Sequence, residues 1–74
     1  MDTVRSVRID GRKLVRAREQ RLLSRQELAD KAGLHLDHLA RLERGDITRP
    51  HMATIRKLVE ALDCPPAEIL AEDG

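Results

Sequence analysis

Apolar positions recur every three or four residues along most of this chain, which predicts a bundle of short helices. We expect five helices, which cover residues 11–21, 24–33, 36–44 and 52–62, with a last short one that begins near Pro66. Ahead of them, Val7 and Ile9 fall on one side of an alternating segment at residues 4–9, which has the pattern of a short strand. Such a strand would pair across a dimer or lie on the helices. The predicted fold is all-α, a compact five-helix bundle, with the N-terminal β-strand as an optional addition.

Residues 24–45, SRQELADKAGLHLDHLARLERG, hold two of these helices and the turn between them. Ser24 and Glu27 have the spacing of a capping box, which starts a helix, and Gly33 can end that helix in a left-handed conformation. A helix, a turn that contains glycine and a second helix form the motif that lays its second helix in the major groove of DNA. We therefore expect a helix-turn-helix domain at residues 10–71, preceded by an arm or short strand at residues 1–9 and followed by a frayed acidic tail at residues 72–74.

The outer face of the second helix of this motif carries the candidate chemistry. At about 100° per residue, Leu39, Leu42 and Glu43 share the inner side. The outer positions are Asp37, Ala40, Arg41 and Arg44. Arginine side chains suit guanine edges and phosphates, so this face is a candidate for contact with DNA. A solvated helix face without a ligand is the alternative.

Composition narrows the classes of function. The chain has 74 residues, one cysteine and no aromatic residue. This length fits one domain, and the lack of aromatic rings argues against a protein that stacks single-stranded bases. A lone Cys64 suits a reducing compartment, and we find neither a signal peptide nor an apolar run near the ~18 residues of a membrane span. We expect a cytoplasmic protein without membrane contact.

The net charge of +1 is unevenly distributed. Residues 1–26 carry +5, residues 27–50 carry −1 and residues 51–74 carry −3. The N-terminal third is therefore a candidate for the side that faces phosphates, and the C-terminal third for the side that faces away. A basic helix that only meets solvent is the alternative.

An ordered set of short motifs runs from about residue 12 to residue 71 without a gap. The set comprises Ser24 to Ala29, Lys31-Ala32-Gly33, Leu39, Leu42-Glu43-Arg44-Gly45, Arg49-Pro50, Ile55-Arg56-Lys57-Leu58, Glu60-Ala61-Leu62 and Glu68-Ile69-Leu70. This set resembles the helix-turn-helix domain of the phage repressor and Cro family, also called the Xre family. The resemblance implies a repressor-like transcriptional regulator that binds double-stranded DNA sequence-specifically, as a homodimer on a two-fold operator with half-sites ~34 Å apart. It also implies a dimer contact in the C-terminal region, from Cys64 to Leu70.

The resemblance and the side-chain chemistry together define the expected site. Base contacts are expected from Arg41, from Leu36 on a thymine methyl group and from Asp37 on a cytosine amino group. Alternatively, Asp37 pairs with Arg41 one turn later and orients it. Phosphate contacts are expected from Ser24, Arg25, Arg44, Thr48 and Arg49. Arg25 stands where the family commonly has glutamine, at a helix start that itself attracts phosphate.

Two positions in the predicted core need an explanation. Arg18 and Arg21 share the apolar stripe of the first helix, and Glu43 lies beside the inward leucines of the third. Because arginine is almost never buried without a partner, we expect a structural ion pair between Arg18 and Glu43, which the family resemblance also implies. Leu22 occupies a position where the family usually has glycine. Either the first helix ends differently here, or a left-handed leucine is tolerated at about 1–2 kcal/mol.

Two other classes of function remain as alternatives. A protein-interaction module on the same fold, such as an antitoxin or a transcription adaptor, is favoured by an exposed Leu36 and by the small net charge. An enzyme or metalloprotein is disfavoured, because the chain has no nucleophile–base pair and no glycine-rich phosphate loop. His35 and His38 have a metal-like spacing, but no carboxylate or thiolate cluster accompanies them. We therefore expect no catalytic residue, no metal and no cofactor.

Overall fold

The computed structural model describes residues 7–72, which form four α-helices. In chain order these are α1 (Gly11–Gln20), α2 (Arg25–Ala32), α3 (Leu36–Arg44) and α4 (Met52–Leu62). The first six residues of the predicted arm and the last two of the predicted tail lie outside the described residues. No helix in the described part is long and apolar enough to cross a membrane.

The two ends of the bundle differ from the prediction. The fifth helix is only a 3-10 turn, Pro66–Glu68, because Leu70, two residues after it, pairs with Ile9 in an antiparallel bridge, which needs extended backbone. Across residues 7–72 the expected strand is reduced to an isolated antiparallel bridge between Ile9 and Leu70. The Asp10 N–H donates to the Ile69 carbonyl at 2.9 Å beside it. The bridge joins the two ends of the chain and buries Ile9.

The helix-turn-helix forms as its local sequence predicts. The Ser24 hydroxyl accepts from the Glu27 N–H at 3.0 Å, and the Glu27 carboxylate accepts from the Ser24 N–H at 2.7 Å, so the capping box is complete. Gly33 ends α2 with a φ of 71°, and Gly45 ends α3 with a φ of 88°. Because a left-handed conformation strains other residues, glycine at these two points sets the directions in which the chain leaves each helix.

The centre of the bundle is a set of fully buried aliphatic side chains. They are Leu14, Leu28, Leu39, Leu42, Leu58, Leu62 and Ile69. Through them α3 packs against both α1 and α2, and α2 packs against α4. The position of α3 is therefore set by two neighbouring helices, and one side of it remains at the surface.

The loop between α1 and α2 settles the two alternatives for Leu22: the residue adopts the left-handed conformation. Leu22 has a φ of 57° and is 90% exposed, so its side chain gains nothing from burial in return for the strained backbone. The preceding Arg21 donates to the carbonyls of Leu62 and Ala17 at 2.6 and 2.8 Å. Arg21 thereby satisfies the C-terminal end of α4, which explains an arginine in the apolar stripe of α1.

Candidate nucleic-acid interface

One long side of α3 is buried and the other faces solvent. Leu39 and Leu42 have no exposed surface, whereas the side chains of Arg41 and Arg44 are 54% and 58% exposed. Helix α3 therefore holds two guanidinium groups at the surface from a firmly packed base. Ala40, which the periodicity placed on the outer face, is buried, so the helical wheel was wrong for this residue.

Arg41 is paired along the helix. Its Nε lies 3.1 Å from the Asp37 Oδ2, one helical turn earlier. A pair at this spacing orients the guanidinium, which is one of the two roles that the sequence allowed for Asp37. Leu36 begins the same helix and is 42% exposed, so an apolar side chain stands beside these charges.

Arg44 has a carboxylate partner that the sequence analysis missed. Its Nε and Nη2 donate to the Asp46 Oδ2 at 3.1 and 2.8 Å. The Asp46 N–H in turn donates to the Arg41 carbonyl at 2.9 Å, which fixes the aspartate just beyond the end of α3. Rules for side-chain pairs within a helix do not reach across its terminus, so helical spacing holds no signal for this contact.

The Glu43 carboxylate joins three helices. Arg18 of α1 donates to it from Nε at 2.7 Å and from Nη2 at 3.3 Å, so the pair expected from the sequence is present. Arg25 of α2 also donates to it, from Nε at 2.9 Å. The Glu43 side chain is 1% exposed, that of Arg18 11% and that of Arg25 46%.

The contact between Arg25 and Glu43 changes what Arg25 is able to do at the candidate site. Arg25, which the sequence predicts at a phosphate, is tied to α3 through the Glu43 carboxylate. Because only its Nε meets Glu43, the two terminal nitrogens of the guanidinium remain directed elsewhere. Two features of the sequence could have indicated this contact. Arg25 stands where the family commonly has glutamine, and Glu43 was expected to be a buried carboxylate in need of cations.

The start of α2 carries the remaining groups expected at a phosphate on this side. The Ser24 hydroxyl accepts from the Glu27 N–H and so forms part of the cap of α2. The hydrogen bonds from the Ser24 N–H and then from its hydroxyl hold the pKa of Glu27 below its usual value. Glu27 therefore stays charged at neutral pH and keeps the capping box closed.

The loop after α3 contains the last two residues expected at phosphates. Thr48 and Arg49 are both exposed. The Thr48 carbonyl accepts from the Ile9 N–H at 2.8 Å, so the loop is anchored to the N-terminal segment. Within residues 7–72, Arg49 makes no ion pair or hydrogen bond through its side chain, which leaves its whole guanidinium to solvent.

The described residues do not gather a metal site. No group of three or more histidine, cysteine, aspartate or glutamate side chains in residues 7–72 is arranged to hold an ion. Cys64 is a free, buried thiol. Its burial, and next the negative charge of Glu68, raise the pKa of Cys64 above its usual value.

The profile of the HTH_3 helix-turn-helix family matches residues 14–69, which is most of the chain. The chain belongs to this helix-turn-helix family. No curated protein sequence matches it. The family profile extends from the middle of α1 to the residue after the 3-10 turn. It therefore contains α2, α3 and all the arginines described above, but none of the N-terminal segment.

Solved structures of other helix-turn-helix proteins are similar in fold. The biofilm regulator SinR, solved in complex with DNA, superposes with a TM-score of 0.76 at 29% identity over 80% of this chain and 97% of that one. The restriction-modification controller protein C.AhdI from Aeromonas hydrophila has a TM-score of 0.74 at 34% identity, over 78% of this chain and 86% of that one. SinR has also been solved in complex with SinI, at 30% identity over 76% of this chain and 54% of that one, with a TM-score of 0.72.

An enzyme also contains a similar segment. Hydroxyethylphosphonate dioxygenase matches with a TM-score of 0.75 at 34% identity, over 90% of this chain but 14% of the enzyme. The similarity to the enzyme is thus confined to a small part of it, whereas SinR and C.AhdI are covered almost whole.

Proposed function

We propose that this protein is a repressor-like transcriptional regulator that binds double-stranded DNA sequence-specifically, with α3 in the major groove. The observation that carries the proposal is the outward presentation of Arg41 and Arg44 from a helix locked on its other side by Leu39 and Leu42. An exposed helix on a rigid base is what insertion into a groove requires. SinR has been solved with DNA bound, and this chain is similar to 97% of the SinR chain in that complex.

The roles of individual residues follow from their places around α3. Arg41 would read a guanine edge, Asp37 would orient it or accept from cytosine, and Leu36 would touch a thymine methyl group. The groups proposed to hold phosphates are Ser24, Arg25, Arg44, Thr48 and Arg49. They lie at the start of α2, at the end of α3 and in the loop after it, so they would flank the groove on both sides.

We propose that a second copy of the chain completes the regulator. Of the segment expected at the dimer contact, Cys64 and Ile69 are buried, but Pro66 and Leu70 line an apolar groove of about 240 Å³ together with Met52 and Val59 of α4. The Met52 side chain is largely exposed. A symmetric contact through this groove would make a two-fold dimer, which has the symmetry of a two-fold operator.

The dimer is tested by light scattering across a range of concentrations. The wild type is expected to approach twice the monomer mass, whereas Met52→Lys, which puts a charge into the groove, is expected to stay monomeric. Lys57→Ala, an exposed change on the same helix, is the control. A wild type that remains monomeric both alone and on a selected duplex would exclude this arrangement.

Selection of duplexes from a random library tests the DNA-binding proposal. We expect a consensus with two related half-sites, and an affinity for duplex DNA that falls steeply as salt rises, because phosphate contacts release counterions. Recovery of no consensus, together with an affinity that does not respond to salt, would refute it.

We propose a binding protein without catalytic activity that acts in the cytoplasm, where Cys64 would stay a thiol.

A protein-interaction module is the second candidate, and exposed apolar side chains favour it. Leu22 is 90% exposed and Leu36 42% exposed. SinR has been solved with SinI as well as with DNA. An adaptor or antitoxin would show little salt-dependent affinity for random duplex DNA at low salt, so the same titration separates the two candidates.

A further inference from the structure

Arg25, Arg41 and Arg44 are each paired with a carboxylate, and these carboxylates differ in exposure. Asp37, the partner of Arg41, is 75% exposed at its side chain. Glu43, the partner of Arg25, is 1% exposed at its side chain, so DNA cannot displace it. Asp46, the partner of Arg44, is 54% exposed and can be displaced. Arg49, in the loop after α3, has no carboxylate partner among residues 7–72.

The contact between Arg44 and Asp46 occupies one of the two donor edges through which a guanidinium can hold a phosphate. Nε and Nη2 form that edge, and both donate to one oxygen of Asp46, at 3.1 and 2.8 Å. An arginine binds carboxylate and phosphate with this same fork of donors. The carboxylate therefore stands where a phosphate oxygen would stand.

The position of Asp46 is fixed, and it is a poor position for stability. The Asp46 N–H is bound to the Arg41 carbonyl at 2.9 Å, directly after Gly45 turns the chain at the end of α3. A negative charge at a helix C-terminus is disfavoured by the helix dipole. An ion pair between two half-exposed side chains contributes little in return.

We propose that Asp46 is an internal competitor for the phosphate site of Arg44, which lowers the affinity of the protein for duplex DNA. This inference rests on the proposed function. In the free protein the carboxylate neutralises Arg44, and binding of a phosphate there requires the guanidinium to leave Asp46 first. Asp46 also places a negative charge next to the incoming phosphate. Both effects weaken binding to any duplex, whatever its sequence, and reduce the number of counterions released.

The test is Asp46→Asn, with Asp63→Asn as the matched control. Both aspartates are exposed, both stand at the C-terminal end of a helix, and both changes raise the net charge by the same amount. Asp63 ends α4 and, within residues 7–72, forms no ion pair with Arg41 or Arg44. Affinity for a random-sequence duplex is measured by fluorescence anisotropy across a salt series, and thermal unfolding is followed for each variant.

We expect Asp46→Asn to bind the random duplex about fivefold more tightly at low salt, and its plot of log affinity against log salt to steepen by about 0.9, the value for one added phosphate contact. The control is expected to match the wild type in both binding measurements, and neither variant is expected to unfold at a lower temperature than the wild type. If the wild type binds DNA but Asp46→Asn and Asp63→Asn behave alike, the inference about Asp46 is wrong and the proposed function stands. If the wild type itself shows no salt-dependent binding to duplex DNA, the proposed function fails first.

Discussion

Replacing Glu43 by alanine tests how α1, α2 and α3 are held together. The substitution removes a carboxylate with a 1% exposed side chain that accepts three hydrogen bonds, from the Nε and Nη2 of Arg18 and from the Nε of Arg25. Arg25 can turn to solvent, because its side chain is 46% exposed. Arg18 cannot, because its side chain is 11% exposed, and its remaining bond, from Nη1 to the Leu23 carbonyl at 2.9 Å, leaves its charge uncompensated.

The magnitude follows from the loss of one partner of a buried pair, which costs about 3–5 kcal/mol. A domain of this size is stable by roughly 4–11 kcal/mol, so the loss is a large part of the total. With a shift of about 4–8 °C per kcal/mol for a small domain, Glu43→Ala is expected to lower the Tm by at least about 12 °C.

Far-UV circular dichroism is the appropriate assay, since the chain has no aromatic residue to report unfolding by fluorescence. The double variant Arg18→Met/Glu43→Leu is the control, because it removes both buried charges and fills their space with apolar atoms. We expect it to be clearly more stable than Glu43→Ala. A Tm of Glu43→Ala that equals the wild-type value within error would refute the argument that this carboxylate ties the helices together.

Three further predictions concern single positions. Leu22→Gly relieves about 1–2 kcal/mol of backbone strain against about 0.4–1 kcal/mol of added chain entropy, so it should stabilise by about 0.5–1 kcal/mol in urea unfolding; a lower midpoint would contradict this. Gly11→Ala should destabilise by about 1–3 kcal/mol although alanine favours helices, because its Cβ would lie 2.8 Å from the Leu42 carbonyl oxygen; a gain in Tm would show that α1 and α3 can separate freely. Burial raises the pKa of Cys64, so the thiol should react with iodoacetamide at pH 8 more slowly than an unfolded control and reach the control's rate in denaturant. Equal rates without denaturant would mean that the thiolate is accessible in the folded protein.

Local signals in the sequence were sufficient for the helix-turn-helix. Ser24 and Glu27 form the capping box that their spacing predicts, and Gly33 and Gly45 end their helices as left-handed glycines. These features act over three or four residues, so they are visible in the sequence before any tertiary contact is known. The Arg18–Glu43 pair could also be inferred, because two opposite charges in apolar stripes are each unfavourable alone.

The features that the sequence did not reveal depend on contacts between distant segments. Ile9 pairs with Leu70, which is far from it in the sequence. This bridge stands in place of the predicted strand, and a 3-10 turn before it stands in place of the predicted fifth helix. Arg25 meets Glu43 because α2 packs against α3, a contact between helices that the sequence does not show. Periodicity also placed Ala40 outside, since a helical wheel does not show that two other helices, α1 and α2, pack against α3.

The central claim is that α3 reads base sequence while the groups around it hold the backbone. The most direct measurement compares Arg41→Ala with Arg25→Ala on a selected duplex and on its single-base variants, at constant salt. We predict that Arg41→Ala loses about 1–3 kcal/mol of discrimination at one base pair, whereas Arg25→Ala weakens binding to every duplex by a similar factor. A uniform loss of affinity in both variants, with base preference unchanged, would contradict the account.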